Sequence, residues 1–224
     1  MNEDIYLKAP DGHEFSAYLS RPTGPILGGI VVAMEMYGVN NYLRGVCDRF
    51  SSEGYICIAP AFFDRHEKFL DLPYDEKGSK RGKELSRANN FDLTLEDAHT
   101  ARDFIKTDAG KVAILGYCFG GTVSWLGSCR GDFDASVPYY GSNMCDYPDE
   151  PARCPTLCHV GDLDTAVPPD QVSMFQKKRP EVNWCVYNGA RHGFDNWTRH
   201  ERYHQEAADL ARTRTLEFLA RELA

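Results

Sequence analysis

The sequence predicts an α/β fold, with a mostly parallel central sheet and helices on both faces. Three observations predict it. Continuous apolar runs of strand length recur along the chain, as expected of strands buried on both faces. Segments with apolar residues at helical spacing separate these runs. The two kinds alternate almost to the end, the pattern of a parallel sheet with crossover helices. With 224 residues, 42% of them hydrophobic, the chain can build a sizeable core. No repeat, low-complexity tract or Gly/Pro-rich linker divides it, so residues 1–224 read as one domain.

The elements follow in order. DIYLKA and EFSAYLS flank Asp11-Gly12, a turn pair that fits a hairpin. GGIVVAME is a buried strand ending at Glu35. Residues 39–53 place Tyr42, Val46 and Phe50 on one helical stripe, and YICIAP is the next strand, stopped by Pro60. Residues 61–91 are polar and irregular, an excursion with one short helix whose length and polarity suit a lid. From Thr94 a helix puts Leu95, Ala98, Ala101 and Ile105 on one face. KVAILGY is a strand, GGTVSWLGS opens a helix, and ASVPYYG and CPTLCHVG are strands. Pro168 to Lys178 is a helix with proline in its first turn. VNWCVYN is the last strand, and an amphipathic helix with Ala208, Leu210, Leu216 and Leu219 runs from about Arg199 to Leu223.

Bulk charge narrows the function. A formal net charge of −8 repels phosphate backbones and anionic lipid, which disfavours nucleic acid and membrane surfaces as partners. No run approaches a membrane span and the N-terminus lacks a signal pattern, so a cytoplasmic protein, monomeric by default, is expected. The eight cysteines contain no C-x-x-C pair and read mostly as buried reduced thiols rather than metal ligands.

Gly116-Tyr117-Cys118-Phe119-Gly120 stands between a strand and a helix. G-x-C-x-G has the form of a nucleophile elbow with cysteine in the place of serine. The turn is tight, and glycine two residues to either side avoids collision. It also aims the Phe119 N–H, at a helix N-terminus, where an oxyanion would develop. Partners are expected in the order acid, then histidine. Asp164 follows a predicted strand, with Asp162 its near competitor, and His192 lies in the glycine-bearing loop after the next strand. The roles follow: Cys118 attacks an acyl carbon, His192 moves the proton, and Asp164 holds the imidazole tautomer.

MEMYGVN, GYCFGG, PYYG, GDLDTAVP and GARHGF together resemble the dienelactone hydrolase family of α/β-hydrolases, in the family's order and over nearly the whole chain. The resemblance implies an α/β-hydrolase fold and hydrolysis of a small-molecule ester or lactone, with dienelactone giving maleylacetate as the first guess. It implies no metal or cofactor. It also implies that Glu35, at the end of the early strand, helps to deprotonate the cysteine, and that Met36 supplies a second oxyanion N–H. Tyr139 matches a tyrosine lining the family's pocket. Two family arginines hold the substrate's carboxylate. Arg81 is the nearest candidate for one, with Lys80 and Arg87 competing; the other falls on Asn196, between Arg191 and Arg199. Asparagine cannot make a bidentate charged pair with a carboxylate. Phe62, Phe63, Phe194 and Trp197 read as an aromatic pocket wall. Rival readings are a broader carboxylesterase or thioesterase, and a non-catalytic small-acid binder or thiol redox sensor.

Overall fold

The computed structural model describes residues 2–224. Eight strands form one sheet: β1 (Asn2–Lys8), β2 (Glu14–Ser20), β3 (Gly28–Ala33), β4 (Tyr55–Pro60), β5 (Val112–Tyr117), β6 (Ala135–Tyr139), β7 (Leu157–Gly161) and β8 (Asn183–Tyr187). Their order is β1-β2-β4-β3-β5-β6-β7-β8. β2 runs antiparallel to β1 and β4, and the remaining pairs are parallel. This is the α/β-hydrolase fold. β3 to β7 are buried along their whole length, as their apolar runs require. β8, at the edge, is largely accessible.

Five α-helices lie between strands, α1 (Asn41–Ser52), α2 (Glu76–Ala88), α3 (Phe91–Ala109), α4 (Phe119–Arg130) and α5 (Pro169–Lys178), and α6 (Gln205–Glu222) follows β8. α1 and α6 share a face, tied by an Arg212–Glu53 ion pair at 2.5 Å. Tyr42 of α1 packs edge-on against Tyr117 of β5, ring centroids 5.7 Å apart. α3 and α4 pack together on the other face. There Trp125 of α4, fully buried, meets Phe175 of α5. Burying one such aromatic contributes about 2–3 kcal/mol.

Three boundaries differ from expectation. The excursion contains a 13-residue helix, α2, rather than one short turn of helix. Its buried positions are Gly78, Gly82 and Leu85, so it lacks the apolar stripe that periodicity detects. α3 starts at Phe91, three residues early, because the Asn90 side chain caps the N–H groups of Asp92 and Leu93. α6 starts at Gln205, capped by His204, because residues 199–204 are spent in turns closed on the Arg199 carbonyl.

The connection from β3 runs to one side, to β4, while β5 lies on the other. That reversal opens a crevice beyond the C-terminal ends of β3 and β5, where ligands bind in open α/β sheets. Glu35 and Met36 follow β3, and Cys118 follows β5.

Candidate active site

Cys118 sits between β5 and α4 at φ 56°, ψ −113°, one of three non-glycine residues with positive φ among those described. The turn is compressed. A Cβ on Gly116 would lie 2.0 Å from the Gly120 carbonyl oxygen, and one on Gly120 would lie 2.2 Å from the Ala33 carbonyl oxygen. Both obstacles are backbone, so neither position tolerates a side chain. The Cys118 N–H is bound to the Tyr139 carbonyl, and its own carbonyl accepts from Gly121, Thr122 and Ser142. These bonds hold the strained residue in place. Phe119 is the first residue of α4, and its N–H has no intrahelical acceptor. Among the described residues the Met36 N–H has no backbone acceptor either. Both residues line the cavity that holds Cys118.

His192 lies in the loop after β8. Its Nδ1 is 2.9 Å from Asp164 Oδ2 and 3.1 Å from Oδ1. Asp164 is buried, and its Oδ1 also accepts from the N–H groups of Ala166 and Val167. Asp162, the competitor, instead accepts from the Gly189 N–H and braces the turn before His192. Tyr140, at φ 38°, packs edge-on to the His192 ring at 5.1 Å. Burial pulls the His192 pKa down. Facing Cys118, and then Asp164, raise it more, and the balance stands at about 10.

Glu35 is 3% exposed and lines the same cavity. Burial raises its pKa, against the opposing influence of Tyr74, Arg199, His192 and Asn196. Its Oε2 accepts from Tyr74 Oη at 2.8 Å and Asn196 Nδ2 at 2.9 Å.

The cavity encloses about 470 Å³. It brings together Glu35, Met36, Cys118, Phe119 and His192, with Asp164 behind the histidine. It does not include the four residues expected to bind substrate. Tyr139 turns toward α6, where its Oη is 2.7 Å from Thr215 Oγ1; its neighbour Tyr140, just past the end of β6, packs on His192. The strand ends between the two, Tyr140 standing at φ 38°, and the aromatic pair in PYYG conceals which ring meets the histidine. Arg81 is exposed on α2 and paired with Glu67 and Glu84. Phe194 is fully buried among Tyr139, Tyr140 and Tyr187. Trp197 packs on Tyr42 and under the Arg49 guanidinium, beside a separate small cavity. Phe62 and Phe63 are buried as well, Phe63 against Phe119.

Sequence reasoning missed Tyr74, Tyr140 and Lys83. Arg87, expected only as a competitor of Arg81, does line the cavity. Ser79, Lys83, Ser86 and Arg87 of α2 line one wall, a spacing of four, seven and eight residues that marks one helical face. Arg199 and Arg202 line another part.

Fold and site geometry together define an α/β-hydrolase whose elbow carries cysteine. The sequence profile of the dienelactone hydrolase family matches residues 15–223, and the chain belongs to that family. It is 30% identical over 233 residues to a carboxymethylenebutenolidase of Pseudomonas putida, covering 98% of this chain and 97% of that one. Carboxymethylenebutenolidase 1 of Cupriavidus pinatubonensis is 26% identical, with the same coverage. Among solved structures, a Klebsiella pneumoniae protein superposes with a TM-score of 0.83 at 24% identity, covering 98% and 99% of the two chains. A dienelactone hydrolase-like promiscuous phosphotriesterase from metagenomic libraries gives 0.74 at 19%, covering 99% and 98%. These structural likenesses speak for the fold. The chain is thus a hydrolase of a family acting on small-molecule esters and lactones.

Proposed function

We propose that the chain hydrolyses a carboxylate-bearing ester or lactone through a thioester on Cys118, with dienelactone giving maleylacetate as the substrate to test first. The observation that carries this reading is the strained Cys118 sharing one cavity with a His192 held by Asp164. The Cys118 proton passes to Glu35, and the thiolate sulfur attacks the acyl carbon. The carbonyl electron pair moves to oxygen, which the N–H groups of Met36 and Phe119 receive. Collapse breaks the C–O bond, and the departing oxygen takes a proton from His192, which enters the step as the imidazolium that Asp164 holds. His192 then deprotonates water, whose oxygen attacks the thioester carbon; the thiolate departs, the acid is freed, and Glu35 returns its proton to Cys118.

Charge around the cavity supports an anionic substrate. Lys83, Arg87, Arg199 and Arg202 line it, the last two paired with Glu201, whereas Glu35 is its one carboxyl. On α2 the outward-facing Arg81 is neutralised by Glu67 and Glu84. Lys83 and Arg87, facing the cavity, make no ion pair among the described residues. In a chain of net charge −8 such a cluster focuses anions.

The test compares dienelactone with neutral p-nitrophenyl esters, using Cys118→Ala as the blank. A preference of about a hundredfold for the lactone, on the order of 3 kcal/mol of transition-state discrimination, is expected. Arg87→Met should erase most of that preference and leave neutral esters untouched. If neutral esters win, a broader carboxylesterase takes its place. Full activity in Cys118→Ala removes the thioester route.

A further inference from the structure

Three side chains close a hydrogen-bonded node on Glu35. Tyr74 Oη lies 2.8 Å from Glu35 Oε2, and Asn196 Nδ2 lies 2.9 Å from the same oxygen. Asn196 Nδ2 is also 2.9 Å from Tyr74 Oη, and so is Asn40 Nδ2. A count of donors fixes the direction of every bond. The Asn40 Oδ1 accepts from the Leu43 N–H, where it caps α1, so its Nδ2 must face Tyr74. The Asn196 Oδ1 accepts from the N–H and hydroxyl of Thr198, so its Nδ2 must face Glu35 and Tyr74. A phenol has one proton and two acceptor sites. With two amide donors on its oxygen, the Tyr74 proton has one destination, Glu35 Oε2.

We propose that Tyr74 is a positioning residue, which with Asn196 pins Glu35 Oε2 as a permanent acceptor and reserves Oε1 for the thiol proton of Cys118. Oε1 takes no hydrogen bond among the described residues. The proton moves from Sγ to Oε1, leaving a thiolate and a neutral carboxyl, and no net charge is created. Neutral donors suit this task. An arginine on the same oxygen would form a charged pair and hold the carboxylate ionised more firmly. Tyr74 and Asn196 orient it with less resistance to its protonation. The inference rests on the reading that Glu35 takes the Cys118 proton.

The other titratable groups facing Glu35 are Arg199, His192 and Asp195 from the loop after β8, Cys118 from the elbow, and Tyr42, Tyr117 and Tyr140. None of them bonds Oε2. Tyr74 is therefore the neighbour whose removal acts most directly on it.

The experiment is the pH dependence of kcat/KM on p-nitrophenyl acetate, and of Cys118 alkylation by iodoacetamide, in Tyr74→Phe, Glu35→Gln and the double variant. Phenylalanine keeps the ring packed between Tyr37 and Arg199, so the fold should hold; a circular dichroism melt checks it. Losing a donor to the carboxylate should move the acid limb of both profiles up by about one pH unit. Turnover should fall about tenfold with KM nearly unchanged. Adding Tyr74→Phe to Glu35→Gln should change nothing further, because the residue acts through Glu35. An unmoved acid limb in Tyr74→Phe, or additive losses in the double variant, overturns the proposal. Unchanged turnover and pH profile in Glu35→Gln overturns the part given to Glu35 as well, which separates the two failures.

Discussion

Asp164 shows how little a residue's identity decides and how much its bonds do. Two carboxylates stand two positions apart after β7. One accepts from the Gly189 N–H and holds a turn; the other takes two backbone N–H groups and His192 Nδ1. Their order in the chain does not separate them, since each follows a strand. The elbow, by contrast, is legible once Asp164 and His192 follow its five residues in order, and its glycines are required because a Cβ there would strike backbone oxygen at 2.0–2.2 Å. Tyr74 and Tyr140 were not legible, because their roles arise from contacts across distant elements. Asp164→Asn tests the assignment. Its amide retains an acceptor for Ala166 and Val167 but turns an N–H toward Nδ1 and reverses the useful tautomer. We expect kcat to fall about 10²–10⁴-fold with little change in thermal midpoint. A loss below threefold, measured in steady-state assays at pH 8, returns Asp164 to a structural part.

At the scale of elements, the strands were read correctly because apolar runs report burial on both faces. α2 was underestimated because its contacts are made by absence. A Cβ on Gly82 would stand 2.4 Å from the Met36 carbonyl oxygen, and one on Gly78 would stand 2.0 Å from that of Pro73. The helix packs its backbone against the segment that carries Met36, and Tyr37 Oη meets Ser79 Oγ at 2.9 Å. These contacts make α2 a fixed wall of the cavity, and its helical phase explains why Arg87 faces inward while Arg81 does not. Gly82→Ala sets two effects against each other. Helix propensity favours alanine by about 1 kcal/mol. The collision with the Met36 carbonyl costs about 1–3 kcal/mol, because backbone cannot rotate aside. We expect the collision to prevail, lowering the urea midpoint and, by shifting the Met36 N–H, reducing kcat about tenfold. A raised midpoint with unchanged kcat would falsify the wall.

Over the whole molecule, the acidic charge read from composition and the cationic cavity are separate facts. Net charge carries no information about which side chains the fold gathers, so which basic residues line the cavity is decided only where α2 and the loop after β8 come together. The same folding creates a pH dependence that can be worked out from two histidines. His159 is fully buried between Tyr187 Oη and Thr215 Oγ1, and burial lowers its pKa from 6.5 to about 3. The unfolded chain therefore binds a proton there that the fold refuses, and stability rises with pH until about 6.5. His192 behaves oppositely. Its folded pKa of about 10 lies above the unfolded 6.5, so its contribution is complete below pH 6.5 and is lost as pH climbs toward 10. Asp195, raised by burial to about 6, weakens the fold as pH rises from about 4 to 6 and blunts the acid-side slope. Stability should peak near pH 6.5 and decline on the alkaline side. Cys118 raises His192 only as a thiolate, and on the present reading it rests as a thiol until Glu35 takes its proton, so Cys118→Ala should leave both slopes intact. Urea midpoints from pH 4.5 to 8.5 in both proteins decide it. A flatter alkaline slope in Cys118→Ala would mean instead that Cys118 and His192 already form a thiolate–imidazolium pair in the resting fold, before Glu35 acts.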